Sequence, residues 1–361
     1  MKSNTIVSPA PRKFGRIITP EFANVIDRAE PILGPDPDRG YRHGQVFFAN
    51  DSRFMESFFS EPLTNYLVGW RDPNNIEDTL QFFAPAVPVG RRFEWKAANN
   101  NDEFLSEIVD DQRAIGADFK SVKYTGSDVN DKTLNRGLTL IVDLDNVPGA
   151  GGGGAAVPPW QQQRVAKLTR RLYRNSLRRA IAAISAASVS VAYTWDTSAG
   201  KNPDLDVQTE LINATNLTGI RPNRVAYSDT AFLYRNQSYG AQNSPAGYTG
   251  YNLGNPEDAI AAALQVDRVK ISRERYQSSD TAKSFILPAS VFAFFAMDDV
   301  DTEDPSNVKR FVSVFDEEQG GGIFRVYVQQ ISSKLVALTV EFYEKILVTY
   351  SSGIRQLTIT N

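Results

Sequence analysis

Cysteine is absent from the 361 residues, and histidine occurs once, as His43. The first absence excludes disulfide scaffolds, zinc fingers, iron–sulfur clusters and thiol catalysis. The second excludes a three-histidine metal centre. A Ser-His-Asp triad would have to use His43, which lies in the Gly/Pro/Arg-rich stretch 35–44. No segment approaches the roughly 20 apolar residues that span a bilayer. Residues 1–16 lack the apolar centre of a signal peptide, so the sequons beginning at Asn50, Asn213, Asn216 and Asn236 carry no glycosylation argument. An excess of one charge is missing too. The 39 Lys+Arg stand against 42 Asp+Glu, a net charge of −3, which argues against a dedicated high-affinity nucleic-acid binder and leaves any such contact to local asymmetry.

What is present is apolar material. At 42% hydrophobic and 11% aromatic, the chain can build one large core or two modest domains. Residues 1–45 read as an extended arm. Pro9, Pro11, Pro20, Pro31, Pro35 and Pro37 forbid regular structure outside a short helical candidate at 21–29. The stretch 47–89 is aromatic, with the adjacent pairs Phe47-Phe48, Phe58-Phe59 and Phe82-Phe83. Adjacent rings do not all face one core, so the stretch reads either as rings of which some bury against neighbours or as an ordinary aromatic core. Strands are expected at 91–96, 119–124 and 138–144; in the last, Leu138, Leu140, Val142 and Leu144 share one face. The polar sequence between them suits a projecting hairpin.

After the glycine run 149–154 and Pro158-Pro159 comes the strongest helix pattern, 160–187. Val165, Leu168, Leu172, Tyr173, Leu177, Ala180, Ala183 and Ile184 form one stripe. Arg164, Lys167, Arg171, Arg174 and Arg178 recur at spacings of three and four on the other side, and Arg179 and Ile181 depart from the pattern. An α/β alternation follows. Helices are expected at 205–214, 230–235 and 259–264, and strands at 189–195, 224–227 and 269–271. The final 75 or so residues read as mostly strand, including 335–343 and 346–349.

Three stretches hold candidate chemistry. Gly149, Gly151 and Gly154 match G-x-G-x-x-G, but no helix opens inside the glycines and the region 20 residues on is basic, so they read as a linker. The acidic run Asp298, Asp299, Asp301, Glu303 and Asp304 has the oxygen chemistry for a hard cation but lacks EF-hand spacing, and it reads as a solvated loop. Asp102, Glu103, Glu107, Asp110 and Asp111 read the same way. The basic stripe is either a solvated helix face or a surface for phosphate-backbone contact without sequence readout. The gaps between its basic residues hold no aromatic stacking set for single strands.

The order of elements resembles the major capsid protein family of tailed bacteriophages, with the fold named for coliphage Hong Kong 97. Several stretches carry the resemblance. Phe82-Phe83-Ala84-Pro85-Ala86-Val87-Pro88-Val89 looks like the approach to the family's extended loop. Arg113-Ala114-Ile115-Gly116-Ala117-Asp118-Phe119, then Val122, Tyr124 and 138–143, looks like the loop itself. Gly219, Arg221-Pro222-Asn223 and Ser228-Asp229 look like the axial-domain passage, and so does Ala-Ile-Ala-Ala-Ala-Leu-Gln-Val-Asp-Arg-Val-Lys-Ile-Ser-Arg at 259–273.

The resemblance implies an α+β fold in five parts. These are an N-terminal arm (1–88), an extended β-hairpin loop over a neighbouring subunit (89–145), a glycine linker and spine helix of the peripheral domain (146–188), an axial α/β domain (189–285) and peripheral β-rich strands with return segments (286–361). It implies a non-enzymatic shell protein of the virion, assembled in the host cytoplasm. That protein would form hexamers and pentamers around double-stranded DNA, with scaffolding, portal and decoration proteins as partners and with no membrane, cofactor or metal. Arg164, Lys167, Arg171, Arg174 and Arg178 would face the lumen. Arg113, Phe119, Lys120, Lys123 and Lys132 would lie in the intersubunit loop. An encapsulin-type nanocompartment shares the fold and is the alternative. Because the arm begins at Met1 and is short, scaffolding is expected as a separate chain.

Some relatives link Lys to Asn between subunits. Nothing pairs Lys120, Lys123 or Lys132 with a particular Asn and an activating Glu, so boiled, denatured particles are expected to run as monomers. A ladder of covalent multimers would overturn that expectation.

Overall fold

A computed structural model of the chain describes residues 58–97, 113, 115, 118, 127–147, 158–241, 256–298, 301–302, 304–315 and 322–361. The chain divides into two units, Met1–Phe59 and Ser60–Asn361, and nearly all the described residues belong to the second. The arm candidate 1–45, the strand candidate 119–124, the glycine run 149–154 and the acidic patch at 102–111 lie outside the described residues.

The second unit is α+β. Two short helices come first, α1 (Glu61–Gly69) and α2 (Ile76–Phe83). Strands β1 (Ala86–Pro88), β2 (Arg92–Ala97), β3 (Ser127–Lys132) and β4 (Leu134–Asp143) lead to the long helix α3 (Pro159–Ala187). Then come β5 (Val189–Thr194), α4 (Pro203–Thr218), β6 (Arg224–Ser228), α5 (Asp229–Ala241) and α6 (Pro256–Leu264). Strands β7 (Arg268–Ser272), β8 (Arg275–Gln277), β9 (Lys283–Phe285) and β10 (Ser290–Phe294) follow. The chain ends with β11 (Val308–Ser313), β12 (Phe324–Gln330), β13 (Leu335–Val348) and β14 (Arg355–Thr360).

Two five-stranded sheets organise these elements. In the first, β13 is the central strand. Along one edge it pairs with β11 through residues 343–348 and with β12 through residues 336–342; along the other it pairs with β4. β11 and β12 therefore read as one long strand interrupted by the excursion 314–323, whose base is the bridge between Phe315 and Gly322. β1 adds in parallel to β11. β4 comes so close to β13 that a Cβ on Gly137 would lie 2.8 Å from the Val340 carbonyl oxygen. The second sheet runs β5-β14-β10-β6-β7. Thus β10 and β14, which the sequence pattern groups with the C-terminal strands, belong to the second sheet beside β5 and β6.

Alternation on the second sheet divides the interior in two. Ala226, Phe292 and Phe294 face a core shared with α2, α3 and the first sheet. Val225, Tyr227, Val291, Ala293, Leu357 and Ile359 face the other core with Val207 and Leu211 of α4 and Ile260 and Leu264 of α6. A period-two pattern on a sheet covered on both sides supplies both cores at once.

Helix α3 closes the first core. Val165, Leu168, Leu172, Tyr173, Leu177, Ala180 and Ile184 are buried, as their spacing predicts, while Ala183 is half-buried. Each fully buried leucine or isoleucine contributes about 1.5–3 kcal/mol. The two departures from the stripe have separate causes. Ile181 is buried with the others, so the apolar face is wider than the pattern suggests. Arg179 Nη2 donates 2.7 Å to Glu344 Oε1, whose side chain is 0% exposed. That pair explains why 335–343 and 346–349 form one strand rather than two: Glu344 breaks the apolar pattern but is neutralised from the helix.

The adjacent pair Phe82-Phe83 packs within the chain, as the reading of an ordinary aromatic core has it. Both rings end α2 and straddle Phe294, Phe82 edge-on at 5.8 Å and Phe83 stacked at 6.0 Å. Neighbouring residues can share one partner at a helix end, where side chains 100° apart flank a single ring. The buried Arg224 then joins β6 to α2, donating to the Phe82 carbonyl at 2.7 Å and to Asp298 at 2.7 Å.

Replacing Arg179 with Ala strands a buried carboxylate. Because Arg310 remains 4.0 Å from Glu344, a loss of about 3 kcal/mol is expected, at the low end of the range for breaking a buried pair. Urea unfolding of the subunit measures it, and a loss of only a few tenths would show that the pair behaves as a surface bridge.

Candidate nucleic-acid interface and loop stem

The basic stripe of α3 is set by the burial opposite it. With the apolar face against β13, residues at spacings of three and four on the far side turn outward together. Lys167, Arg171 and Arg178 are exposed, and Arg164 and Arg174 are half-buried. Arg178 lies 4.0 Å over the Tyr276 ring of β8, and Arg174 pairs at 3.5 Å with Glu274. Burial pushes the Glu274 carboxyl above its usual value, against the opposing charge of Arg174. Arg170, which the stripe pattern omits, pairs at 2.8 Å with the buried Asp72. Its partner lies 98 residues away, which no local spacing reveals.

The structure brings four of the five predicted residues into one groove of about 1130 Å³. Lys167, Arg171, Arg174 and Arg178 line it; Arg164, one turn earlier, does not. The opposite wall comes from the segment at β8 and β9, which are paired as a hairpin. Eight basic side chains line the groove against the single carboxylate of Glu274. Such a site is suited to a polyanion, with no acid–base pair arranged for catalysis.

The described residues of the acidic run, Asp298, Asp301 and Asp304, are engaged internally. Asp298 pairs with Arg224 and Arg268 at 2.7 and 2.9 Å. The fully buried Lys309 donates to the carbonyls of Asp301 and Asp304, each at 2.8 Å, and pairs with the Asp304 carboxylate at 2.9 Å. The ammonium sits where a bound cation would. Among the described residues no cluster of three or more His, Asp or Glu could hold a metal ion. No helix among them is long and apolar enough to cross a membrane.

Of the predicted loop residues, Phe119, Lys120 and Lys123 lie outside the described residues. Arg113 is exposed. Lys132 is exposed at the end of β3, opposite Arg92 of β2. These two strands form the stem of the loop, and the stem is clamped to the first sheet. Phe93 stacks on Phe311 at 4.4 Å, Arg91 sits 4.6 Å over Tyr343, and Thr133 shares a hydrogen bond with Ser313 at 3.0 Å. Asp131 accepts from Lys345 at 2.6 Å and from the Lys132 amide at 2.7 Å. The sequence reading missed β3 because it is almost wholly polar, and it missed the clamp because Phe311, Ser313 and Lys345 lie some 200 residues on.

Burial alone would raise the Asp131 carboxyl. The hydrogen bonds from Lys345 and Lys132 and their charges outweigh it, so the group titrates below its ordinary 3.8. Its contribution to folding is therefore complete above the unfolded value and is lost as pH falls through the lowered folded value. Thermal stability of the parent should exceed that of Asp131→Asn at neutral pH, with the gap closing in acid below about pH 4. A gap that does not change with pH would show that the clamp is not ionic.

No protein-family model matches the chain, and no curated protein does. Among solved structures, a phage-related protein from Bordetella bronchiseptica RB50 superposes with a TM-score of 0.60 at 16% identity, covering 83% of this chain and 96% of that one. Looser likenesses, which carry no separate argument, include Gordonia phage Cozz (TM-score 0.46, 13% identity, 89% and 94% covered) and the putative capsid protein of a prophage of E. coli CFT073 (0.45, 11%, 84% and 99%). The chain shares the fold of the Bordetella protein across most of both lengths. That fold is α+β, as expected from the sequence, with a long helix, two mixed five-stranded sheets and the two-stranded β2–β3 ladder.

Proposed function

We propose that this chain is a major capsid protein that self-assembles as hexamers and pentamers into an icosahedral shell around double-stranded DNA. The observation that carries the reading is the fold shared with a phage-related protein over 83% of this chain and 96% of that one. The work is structural and not enzymatic. In this reading the extended loop, expected over 89–145, ends before β4, which pairs along β13 in the first sheet; it is held at its base by the Phe93–Phe311 and Asp131–Lys345 contacts and reaches over a neighbouring subunit. Residues 189–285, with β10 and β14, form the axial domain, and α3 with the β13 sheet forms the peripheral domain. Of residues 1–88, the stretch at α1, α2 and β1 is anchored in the subunit core, and what precedes it is the arm.

The basic face of α3 looks into the lumen, where it lowers repulsion from packaged DNA. The same reading places the protein in the virion and implies scaffolding, portal and decoration partners during and after assembly.

Negative-stain imaging of the full chain expressed alone tests the proposal. Uniform closed shells are expected; a lasting monomer would overturn it. Absorbance of shells isolated from infected or induced cells, read at 260 against 280 nm, separates a genome container from a nanocompartment of the encapsulin type, which would hold protein cargo and no genome.

A further inference from the structure

We infer that the phosphodiester backbone of nucleic acid binds in the groove between α3 and the β8–β9 hairpin, with Lys167, Arg171 and Lys283 as its phosphate contacts. This deepens the capsid reading and rests on it only for the source of the DNA. The helix stripe alone predicts a one-sided surface that includes Arg164. The structure instead shows a two-walled site that excludes Arg164 and adds Lys283, Arg273 and Arg275 from the hairpin.

Apart from Arg178, which lies over the Tyr276 ring, the basic residues divide into two kinds. Arg170, Arg174, Arg273 and Arg275 are each held by a carboxylate, from Asp72, Glu274 and, for the last two, Asp229. These pairs fix both walls. Lys167, Arg171 and Lys283 are exposed and have no acidic partner among the described residues, so their charge is available to a ligand. From Lys167 to Arg178 the helix advances about 16 Å at ~1.5 Å per residue. One strand of B-form DNA presents about five phosphates over that length at ~3.4 Å each.

Base readout has no counterpart here. The one aromatic ring in the groove, Tyr276, is covered by Arg178, so no ring is open for stacking. What remains is sequence-independent backbone contact.

The test is fluorescence anisotropy of a short random-sequence duplex with the full chain as unassembled subunits, over a salt series. Lys167→Gln and Lys283→Gln should each weaken binding and flatten the slope of log affinity against log salt by about 0.9, one phosphate contact. Glu274→Gln should tighten binding, and Arg164→Gln should leave affinity and slope at the parent values. A parent that does not bind overturns the inference. So does a silent Lys283→Gln, or an Arg164→Gln that flattens the slope as much as Lys167→Gln. Polyglutamate that competes as well as DNA at equal charge would assign the groove to acidic peptides instead.

Shell formation by the same variants is scored separately. DNA binding with the predicted pattern but no shells from the parent would leave the groove standing and remove the capsid reading. Shells without the pattern would do the reverse.

Discussion

Everything in this unit is arranged around the burial of one face of α3 against β13. That contact closes the core shared by both sheets, and it leaves the opposite face of the helix with no apolar work to do. A 29-residue helix packed along one side must present its other side to something polar, and here that side is basic. The Arg179–Glu344 pair shows how strictly the contact is kept. A charged residue in the middle of the central strand is tolerated only because the helix supplies its counter-ion.

The second sheet depends on the same arrangement. Its strands alternate between a core under α3 and a core under α4 and α6, so one sheet joins the two bodies of the subunit without a hinge of bare loop between them. Arg224 reinforces the join by donating to the last carbonyls of α2, where a cation also meets the negative end of the helix. The β2–β3 ladder is tied to the same first sheet through Phe93 on Phe311 and Asp131 on Lys345.

The long helix, the alternation in β4 and the helices expected at 205–214, 230–235 and 259–264 were legible because their signals are local. Ser228 accepting from the Ala231 amide at 3.0 Å is the kind of cap that a short motif announces. What was not legible lay in pairings across the chain. β3 carries almost no apolar residues and is a strand only because β2 lies beside it. β13 looked like two strands because Glu344 interrupts the pattern. The acidic run at 298–304 read as a solvated loop because Lys309, Arg224 and Arg268 are not visible as partners of Asp298 and Asp304 in one dimension.

The basic groove divides along the same line. Sequence by itself determined that α3 is amphipathic and that its outer face is basic, because helical geometry follows from spacing within a few turns. It also determined what the chain is not, since chemistry that needs thiols or several imidazoles cannot be assembled from residues that are absent. Only the tertiary structure decided which charges act together. Lys283 and Arg273 stand more than 80 residues beyond the helix, and the segment that carries the β8–β9 hairpin folds them across from Lys167 and Arg171. Which cations are spent on internal carboxylates and which are left for a ligand depends on distances between side chains from remote segments, and only packing sets those distances.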